Sequence, residues 1–168
     1  LAKAVIASED QKFMTHWGFD LEALQKAYKR NKNGKKRKLG GSTISMQTAK
    51  NVYLWPGRNI IRKGLEAYFT VLLEVLWGKK RILEVYLNVI ETGPGCFGVE
   101  AAAQHYFKKS AKNLSRAEAA MIIAGLPNPK KFTARPMTRR VAWRYPQILR
   151  EMHNLEDDED VRNLIRKK

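Results

Sequence analysis

The chain has 168 residues, of which 44% are hydrophobic and 29% are charged. This composition is sufficient for one folded domain with an apolar core and excludes a chain that is disordered throughout. Lys and Arg number 32 and Asp and Glu number 16, so the formal net charge is +16 and we expect an anionic partner. Nucleic acid, an anionic membrane face and a phosphorylated substrate all fit this charge, and the motifs must decide among them.

Cysteine and histidine give no sign of a local metal site. Cys96 is the only cysteine, which excludes an internal disulfide framework and a thiolate metal cluster built by this chain alone. The three histidines, His16, His105 and His153, are too far apart in sequence for an H-x-x-H or H-E-x-x-H site. A metal site that the fold assembles from distant residues stays open at this stage.

The first part of the chain shows helical periodicity. Leu1, Val5 and Ile6 form one apolar stripe, and Glu9 extends this stripe by one turn. Asp20 is placed to cap a second helix that begins directly after it. The chain therefore begins with two predicted helices, and the first of them ends on a carboxylate.

The middle of the chain continues the helical pattern. The run from 29 to 38 is rich in Lys, Arg and Asn and predicts a loop, after which a third helix begins near Ser42 or Thr43. The clearest stripe, from 62 to 77, predicts a core helix. Its predicted buried face consists of Leu65, Phe69, Leu72, Leu73, Leu76 and Trp77. Glu74 interrupts the apolar stretch, which is also shorter than the ~20 residues that cross a bilayer.

The last part of the chain predicts four more helices and no second domain. Apolar stripes cover 82–90, 99–107 and 117–123, and Ser115 and Glu118 fit a capping box at the start of the last of these. A final helix is expected around 141–152, and the tail from Glu156 to Asp160 is acidic. Sustained strict alternation is hard to find, so we predict a mainly α fold.

Glu9 is the first candidate catalytic residue. A carboxylate that continues an apolar helical face is expected to be partly desolvated, and desolvation raises its pKa toward the range of a general base or acid. The alternative is an acid at a helix end that faces solvent just beyond the stripe. Spacing alone does not choose between the two.

A candidate anion site follows at residues 40–43, which read Gly-Gly-Ser-Thr before a helix. Flexible glycines and free backbone N–H groups at a helix N-terminus suit phosphate or carboxylate oxygens, with Ser42 among them. Gln47 and Lys50 lie on the same helix, and Arg58 and Arg62 follow it. The alternative is an ordinary Ser or Thr cap surrounded by solvated basic residues.

Glu66 is the third candidate, because it lies at i+4 from Arg62 and i+3 from Lys63. This spacing predicts a carboxylate that stays ionised. The alternative is a surface ion pair worth less than ~1 kcal/mol. The basic cluster at 35–38 is not interleaved with aromatic residues, so nucleic acid is not the expected partner.

Four motifs in order make the chain resemble the peptidoglycan glycosyltransferase domain, which polymerises lipid II in bifunctional penicillin-binding proteins and in monofunctional biosynthetic transglycosylases. The pattern E-D-x-x-F-x-x-H-x-G-x-D is matched by Glu9, Asp10, Phe13, His16, Gly18 and Asp20. The pattern G-G-S-T-I-x-x-Q-x-x-K-N is matched by residues 40–44, Gln47, Lys50 and Asn51. The patterns R-K-x-x-E and K-x-x-I-L-E-x-Y-L-N are matched by Arg62, Lys63 and Glu66 and by Lys79, 82–84 and 86–88.

The resemblance implies a lysozyme-like, mostly helical fold with a large lobe and a smaller, membrane-apposed jaw lobe. It also implies that Glu9 is the general base for the acceptor's 4-hydroxyl and that undecaprenyl pyrophosphate is the leaving group. Lys50 and Arg58, with Ser42 and Arg62 nearby, would stabilise the pyrophosphate. Glu66 would be the second acidic residue of the site, and Gln47 would act alone where the family usually has two glutamines.

The resemblance further implies a location at the bacterial cytoplasmic membrane, with the catalytic domain on the periplasmic or extracellular face. The expected partners are lipid II, the growing glycan strand, the anionic membrane surface and other cell-wall synthesis or division proteins. No cofactor is required by the residues, although a divalent cation, Mg²⁺ or Mn²⁺, is a candidate bridge at the pyrophosphate. We expect 1–168 to form a single glycosyltransferase domain with a transmembrane anchor upstream of it.

Two other classes of function stay open on the sequence. A muramidase or lytic transglycosylase would share a helical lysozyme-like outline with a catalytic glutamate. The G-G-S-T-I and R-K-x-x-E patterns speak against it, because a hydrolase has no pyrophosphate to stabilise. A basic module without catalysis, bound to nucleic acid or to a membrane surface, is the other class.

Overall fold

A computed structural model describes residues 1–32, 40–57 and 59–166 of the chain. Within these residues the fold is mainly α, as predicted, with one two-stranded antiparallel hairpin. The elements in chain order are α1 (Ala2–Glu9), α2 (Leu21–Lys32), α3 (Ile44–Tyr53), α4 (Ile60–Leu76), α5 (Gly78–Val89), β1 (Glu91–Gly93), β2 (Cys96–Phe97), α6 (Val99–Phe107), a 3-10 helix (Ala111–Asn113), α7 (Arg116–Ala124), α8 (Arg139–Asn154) and α9 (Glu159–Ile165).

The helices pack in two groups around one continuous core. In the first group α1 lies against α7 and α8, and in the second group α3 lies against α4 and α5. Helix α5 also contacts α6 and α9, which connects the groups. Val5, Ile44, Tyr86 and Ile123 come from both groups and are all fully buried in the same core. This arrangement fits the two-lobed helical fold that the motifs imply.

Helix starts follow the local signals in the sequence. Asp20 accepts a hydrogen bond from the backbone N–H of Ala23 at 2.9 Å, and Thr43 caps α3. Ser115 and Glu118 form both hydrogen bonds of the predicted capping box. These predictions are confirmed because a cap depends on only a few neighbouring residues. Of the predicted loop at 29–38, residues 29–32 belong to α2 and the remainder lies outside the described residues.

Besides the 3-10 helix at Ala111–Asn113, a hairpin and a helix were not predicted. The β1–β2 hairpin is too short to show an alternating pattern, and its sequence appears only as a break at Pro94 and Gly95. The acidic run near the end contains α9, which Asp158 caps by accepting a hydrogen bond from the N–H of Val161 at 3.0 Å. Acidic side chains in the first turn favour this helix through its dipole, and Val161 anchors it in the core.

Helix α4 buries a different face from the one predicted. Of the six apolar residues of the predicted face only Leu73 is buried, and Leu76 is 71% exposed. The other residues that α4 buries are polar, namely Glu66, Thr70 and Glu74. Their carboxylates have partners inside the protein, so hydrogen bonds and ion pairs rather than apolar periodicity decide which side of α4 faces inward.

The opposite face of α4 is apolar and exposed. Ile61, Tyr68, Val71 and Val75 recur at helical spacing, and each of them is at least half exposed. Gly64 lies in the same stripe and is also exposed. We call these five residues the α4 apolar face. No helix within the described residues has the length and hydropathy needed to cross a membrane.

Candidate active site

Glu9 is the last residue of α1 and is half-buried beside α3. Its carboxylate accepts hydrogen bonds from Ser8 Oγ at 3.2 Å and from Gln47 Nε2 at 3.3 Å. Burial raises the pKa of Glu9, although these two hydrogen bonds and the positive charge of Arg144 oppose the rise. The alternative of a solvent-facing acid at the helix end is therefore wrong, and the carboxylate has the environment of a general base.

The next residue, Asp10, ties this segment to the start of α3. Its buried carboxylate accepts hydrogen bonds from the backbone N–H of Ile44 at 3.0 Å and from His16 Nε2 at 2.9 Å. Thr43 Oγ1 accepts a hydrogen bond from the backbone N–H of Met46. The N–H groups of Ile44 and Met46, which were predicted to be free for a substrate anion, therefore have partners within the protein. The anion at this helix N-terminus is a protein carboxylate, which corrects that part of the prediction.

A buried polar cluster behind this segment was missed by the sequence analysis. Lys79 Nζ donates to the backbone carbonyl of His16 at 2.6 Å and to Glu74 Oε1 at 2.7 Å, and Ser45 Oγ donates to the same carboxylate oxygen at 2.5 Å. The cluster joins α3, α4 and α5 to the loop after α1. The signal for it was Glu74, the one charge inside the longest apolar stretch of the sequence.

The loop after α1 also depends on a close approach at Gly18. This residue has φ +75°, which side chains disfavour, and a Cβ atom there would lie 2.7 Å from Thr70 Cγ2. Only glycine therefore fits between the loop and α4.

A cationic pocket of about 490 Å³ opens between α3 and α4. It is lined by Ser42, Gln47, Lys50, Asn59, Arg62, Lys63 and Glu66. The structure thus brings together most of the predicted site residues from two separate motifs. Arg58 lies outside the described residues, and its role stays a prediction.

Glu66 is the carboxylate of this pocket and is only 3% exposed. Lys63 Nζ lies 2.6 Å from Glu66 Oε1, which gives the ion pair that the i+3 spacing predicted. The alternative of a surface pair is wrong for Glu66, because its side chain is buried while that of Lys63 is half exposed. The ion pair holds the Lys63 ammonium at the pocket.

Lys50 and Arg62 supply positive charge to this pocket. Burial lowers the pKa of Lys50, the charges of Arg62 and Lys63 add to this effect, and Glu66 opposes it. Arg62 Nε is buried and has no hydrogen-bond partner among the described residues. An anionic ligand in the pocket would relieve the repulsion among these cations and accept from Arg62.

A second pocket, of about 540 Å³, lies on the side of Glu9 that faces α8. Its lining includes Glu9 itself, Trp143 and Arg144. Ser42 and Gln47 line both pockets, so Glu9 stands next to the boundary between two concave sites. The Glu9 carboxylate thus has a concave site on one side and the cationic pocket beyond Gln47 on the other.

No group of His, Cys, Asp and Glu residues within 1–32, 40–57 and 59–166 is arranged to hold a metal ion. In the cationic pocket Glu66 is the one carboxylate among the lining residues, and Lys63 is paired with it. Mg²⁺ and Mn²⁺ prefer several oxygen ligands. The described side chains of this pocket thus offer one carboxylate, and a divalent cation at the pyrophosphate would take its other oxygen ligands from the substrate and water.

Comparison with known proteins places this site in a family. The sequence model of the Transglycosylase family matches residues 1–153. The chain is 57% identical to a biosynthetic peptidoglycan transglycosylase of Bdellovibrio bacteriovorus, over 88% of this chain and 58% of the relative. It is also 57% identical to the protein of the same description from Caulobacter vibrioides, over 88% of this chain and 64% of the relative. It is also 55% identical to that of Escherichia coli over 90% of this chain and 63% of the relative.

The chain spans about three fifths of the length of these curated relatives. The match to the family model nevertheless covers α1 to α7 and all but the last residue of α8, and it includes both pockets and every predicted site residue. The chain belongs to the transglycosylase family.

Proposed function

We propose that this chain is the catalytic domain of a peptidoglycan glycosyltransferase that polymerises lipid II into glycan strands. The observation that carries the proposal is the half-buried carboxylate of Glu9, with its raised pKa, adjoining a pocket walled by cations. A base and an anion site in contact through shared residues are what a transfer from a pyrophosphate-linked donor requires. The names of the relatives support the same activity.

In the proposed reaction Glu9 acts on the acceptor. Its carboxylate removes the proton from the 4-hydroxyl of the acceptor's N-acetylglucosamine as that oxygen attacks C1 of the donor's N-acetylmuramic acid. The new C1–O bond forms as the bond from C1 to the pyrophosphate oxygen breaks, and the configuration at C1 inverts. The proton ends on Glu9, and the electron pair of the broken bond leaves with undecaprenyl pyrophosphate.

The cationic pocket stabilises the leaving group. Lys50 and Arg62 face the negative charge that grows on the pyrophosphate, and Ser42 contributes a hydroxyl at the rim. Arg58 is proposed as a further contact. Glu66 keeps Lys63 at the pocket through their 2.6 Å ion pair, and it lessens the repulsion between neighbouring cations.

Replacing Glu9 by glutamine tests the proposal. Glu9→Gln keeps the size and hydrogen-bonding capacity of the side chain but removes the base, so lipid II polymerisation should fall by roughly 10²- to 10⁴-fold. Glu84→Gln is the control, because Glu84 is exposed and its ion pair with Arg81 lies at the surface. Near-normal turnover by the Glu9→Gln protein, with unfolding unchanged, would remove Glu9 from the base role.

A second incubation separates transfer from hydrolysis. The chain is incubated with lipid II and, separately, with finished peptidoglycan, and the products are sized. Polymer from lipid II supports the transferase, whereas fragments from peptidoglycan would support a hydrolase. Activity in neither assay, together with salt-sensitive DNA binding, would instead support a basic binding module.

We further propose that the α4 apolar face contacts the outer surface of the cytoplasmic membrane in the bacterial cell envelope. An exposed apolar stripe on a chain of net charge +16 suits a surface that is both apolar and anionic. A lipid-linked substrate enters from the same surface. Contact with the membrane would explain why α4 exposes its apolar side and buries its polar side.

Vesicle binding tests this part of the proposal. The double variant Val71→Asp/Val75→Asp should co-sediment less with vesicles that contain phosphatidylglycerol, because it places two negative charges in the α4 apolar face. Ala101→Asp with Ala142→Asp is the matched control, since both alanines are exposed on other helices. Equal loss of binding in the two double variants would show that only net charge matters.

A further inference from the structure

A hydrogen-bonded chain of three side chains leads from the core to Glu9. Gln47 Nε2 donates to Glu9 Oε2 at 3.3 Å, and Tyr86 Oη donates to Gln47 Oε1 at 3.2 Å. Tyr86 lies on α5 and is fully buried, whereas Gln47 lies on α3 at the boundary of the two pockets. Tyr86 lines neither of these pockets, so it has no direct path to a substrate held there.

The two ends of the Gln47 amide have opposite hydrogen-bonding character. An ionised carboxylate only accepts hydrogen bonds, so Glu9 in its base form needs the NH₂ end of the amide. The carbonyl end then points toward the core, where it needs a donor. The hydroxyl of Tyr86 is that donor. Burial, together with the negative charges of Glu9 and Asp10, raises the pKa of Tyr86 well above its usual value, so the hydroxyl keeps its proton.

We propose that Tyr86 is a positioning residue of the transferase, which fixes the Gln47 amide so that its NH₂ end faces Glu9. The inference rests on the proposed function, since it assigns Tyr86 a role through the base. By holding the donor in place, Tyr86 stabilises the carboxylate form of Glu9 before the proton transfer. The base is thereby kept ionised although it is half-buried.

Other charged groups face Glu9 and must stay constant in any test. Asp10 is its neighbour in sequence, and Arg144 of α8 acts on it from the opposite side. Arg30 and Arg140 line the second pocket, and Glu9 also lines a third pocket of about 290 Å³ whose ionisable groups are Lys12, Asp20, Glu22 and Lys26. None of them is changed by a substitution at Tyr86 or Gln47.

Tyr86→Phe is the substitution that tests the inference. It keeps the ring and removes the donor, so the amide carbonyl loses its partner and the NH₂ end is no longer held toward Glu9. Because the Gln47 hydrogen bond lowers the pKa of Glu9, its loss raises that pKa. A base works in its deprotonated form, so the acid limb of kcat/KM against pH moves to higher pH.

We expect this limb to move to higher pH by about half to one pH unit. At pH values on the acid side of the plateau, kcat/KM then falls roughly three- to tenfold. On the high-pH plateau the rate should stay close to that of the unmodified chain. A purely structural loss would instead lower the rate at every pH without moving the limb. Lipid II polymerisation across a pH series measures both quantities.

Tyr106→Phe is the matched control. Tyr106 is also buried, but its hydroxyl donates to the backbone carbonyl of Thr92 at 3.1 Å, away from Glu9. Gln47→Met is a second test of the same hydrogen bonds, because it removes the Gln47 amide itself at a half-buried position. This variant should move the limb in the same direction, and adding Tyr86→Phe to it should produce no further movement.

The inference is overturned if the limb stays in place in Tyr86→Phe, if Tyr106→Phe moves it equally, or if the Tyr86 and Gln47 effects add. Should Tyr86→Phe fail to fold, an unmoved limb in Gln47→Met overturns it as well. Failure of the proposed function is distinct from these outcomes. It appears as near-normal polymerisation by Glu9→Gln, irrespective of what Tyr86→Phe does.

Discussion

The buried ion pair between Lys79 and Glu74 offers a direct test of how burial changes the contribution of a charge. Their closest atoms are 2.7 Å apart, and their side chains are 17% and 4% exposed. Lys79→Met removes the ammonium group but keeps much of the aliphatic length. Glu74 then retains the hydrogen bond from Ser45, and the carbonyl of His16 loses the Lys79 donor.

The expected cost is large because an uncompensated buried carboxylate remains. Breaking a buried pair from one side costs about 3–5 kcal/mol, and a domain of this size loses about 2–4 °C of Tm per kcal/mol, so Tm should fall by roughly 6–20 °C. Thermal unfolding followed by circular dichroism at neutral pH measures this shift.

The exposed pair of Lys12 and Glu22 is the matched control. Its atoms are 2.6 Å apart, a similar distance, but the two side chains are 50% and 68% exposed. Lys12→Met should therefore leave Tm unchanged within error, because solvent screens the pair. If Lys79→Met destabilised the protein no more than Lys12→Met, the argument that burial gives the Lys79 pair its importance would be refuted.

Three further predictions concern the site and its support. Gly18→Ala should destabilise the fold by about 2 kcal/mol or more in denaturant unfolding, because of the positive φ and the contact with Thr70. An unchanged free energy of unfolding would contradict the close approach of this loop to α4. Lys50→Ala should lower kcat in lipid II polymerisation by about 10²- to 10³-fold, with Tm preserved, and an unchanged kcat would remove Lys50 from the pyrophosphate site. The Lys109 hydrogen bond, with the N–H of Ser115, lowers the pKa of Glu118 from 4.5 to about 2. The folded-state pKa is the lower one, so Glu118 stabilises the fold above about pH 4.5 and loses this effect as the pH falls toward 2; the difference in stability from Glu118→Gln should shrink over that window.

The site was predicted best where a motif lies on one element. Lys50 follows Gln47 by one turn of α3, and Glu66 follows Arg62 on α4, so their proximity within each helix is a matter of spacing. The same is true of Glu9 at the end of α1. That α3 and α4 close one pocket depends on how the two helices pack, and no local spacing contains that information.

The buried side of α4 was the clearest failure of prediction. Apolar periodicity selected the face that contains Leu76, but that residue is exposed and the polar face with Glu66 and Glu74 is buried. Periodicity measures apolar content alone, whereas the cost of burying a carboxylate depends on its partners. Those partners, Lys79 and Ser45 for Glu74, come from two other helices.

By itself the sequence determined most of the helices, several of their caps and the order of the motifs, and those motifs identified the candidate base. These features depend on contacts within a few residues, which a linear pattern records. Only the tertiary structure decided the charge environment of that base. Desolvation of Glu9, the Gln47 and Tyr86 hydrogen bonds and the nearby Arg144 come from α3, α5 and α8, and the pKa of a carboxylate is set by the sum of such neighbours.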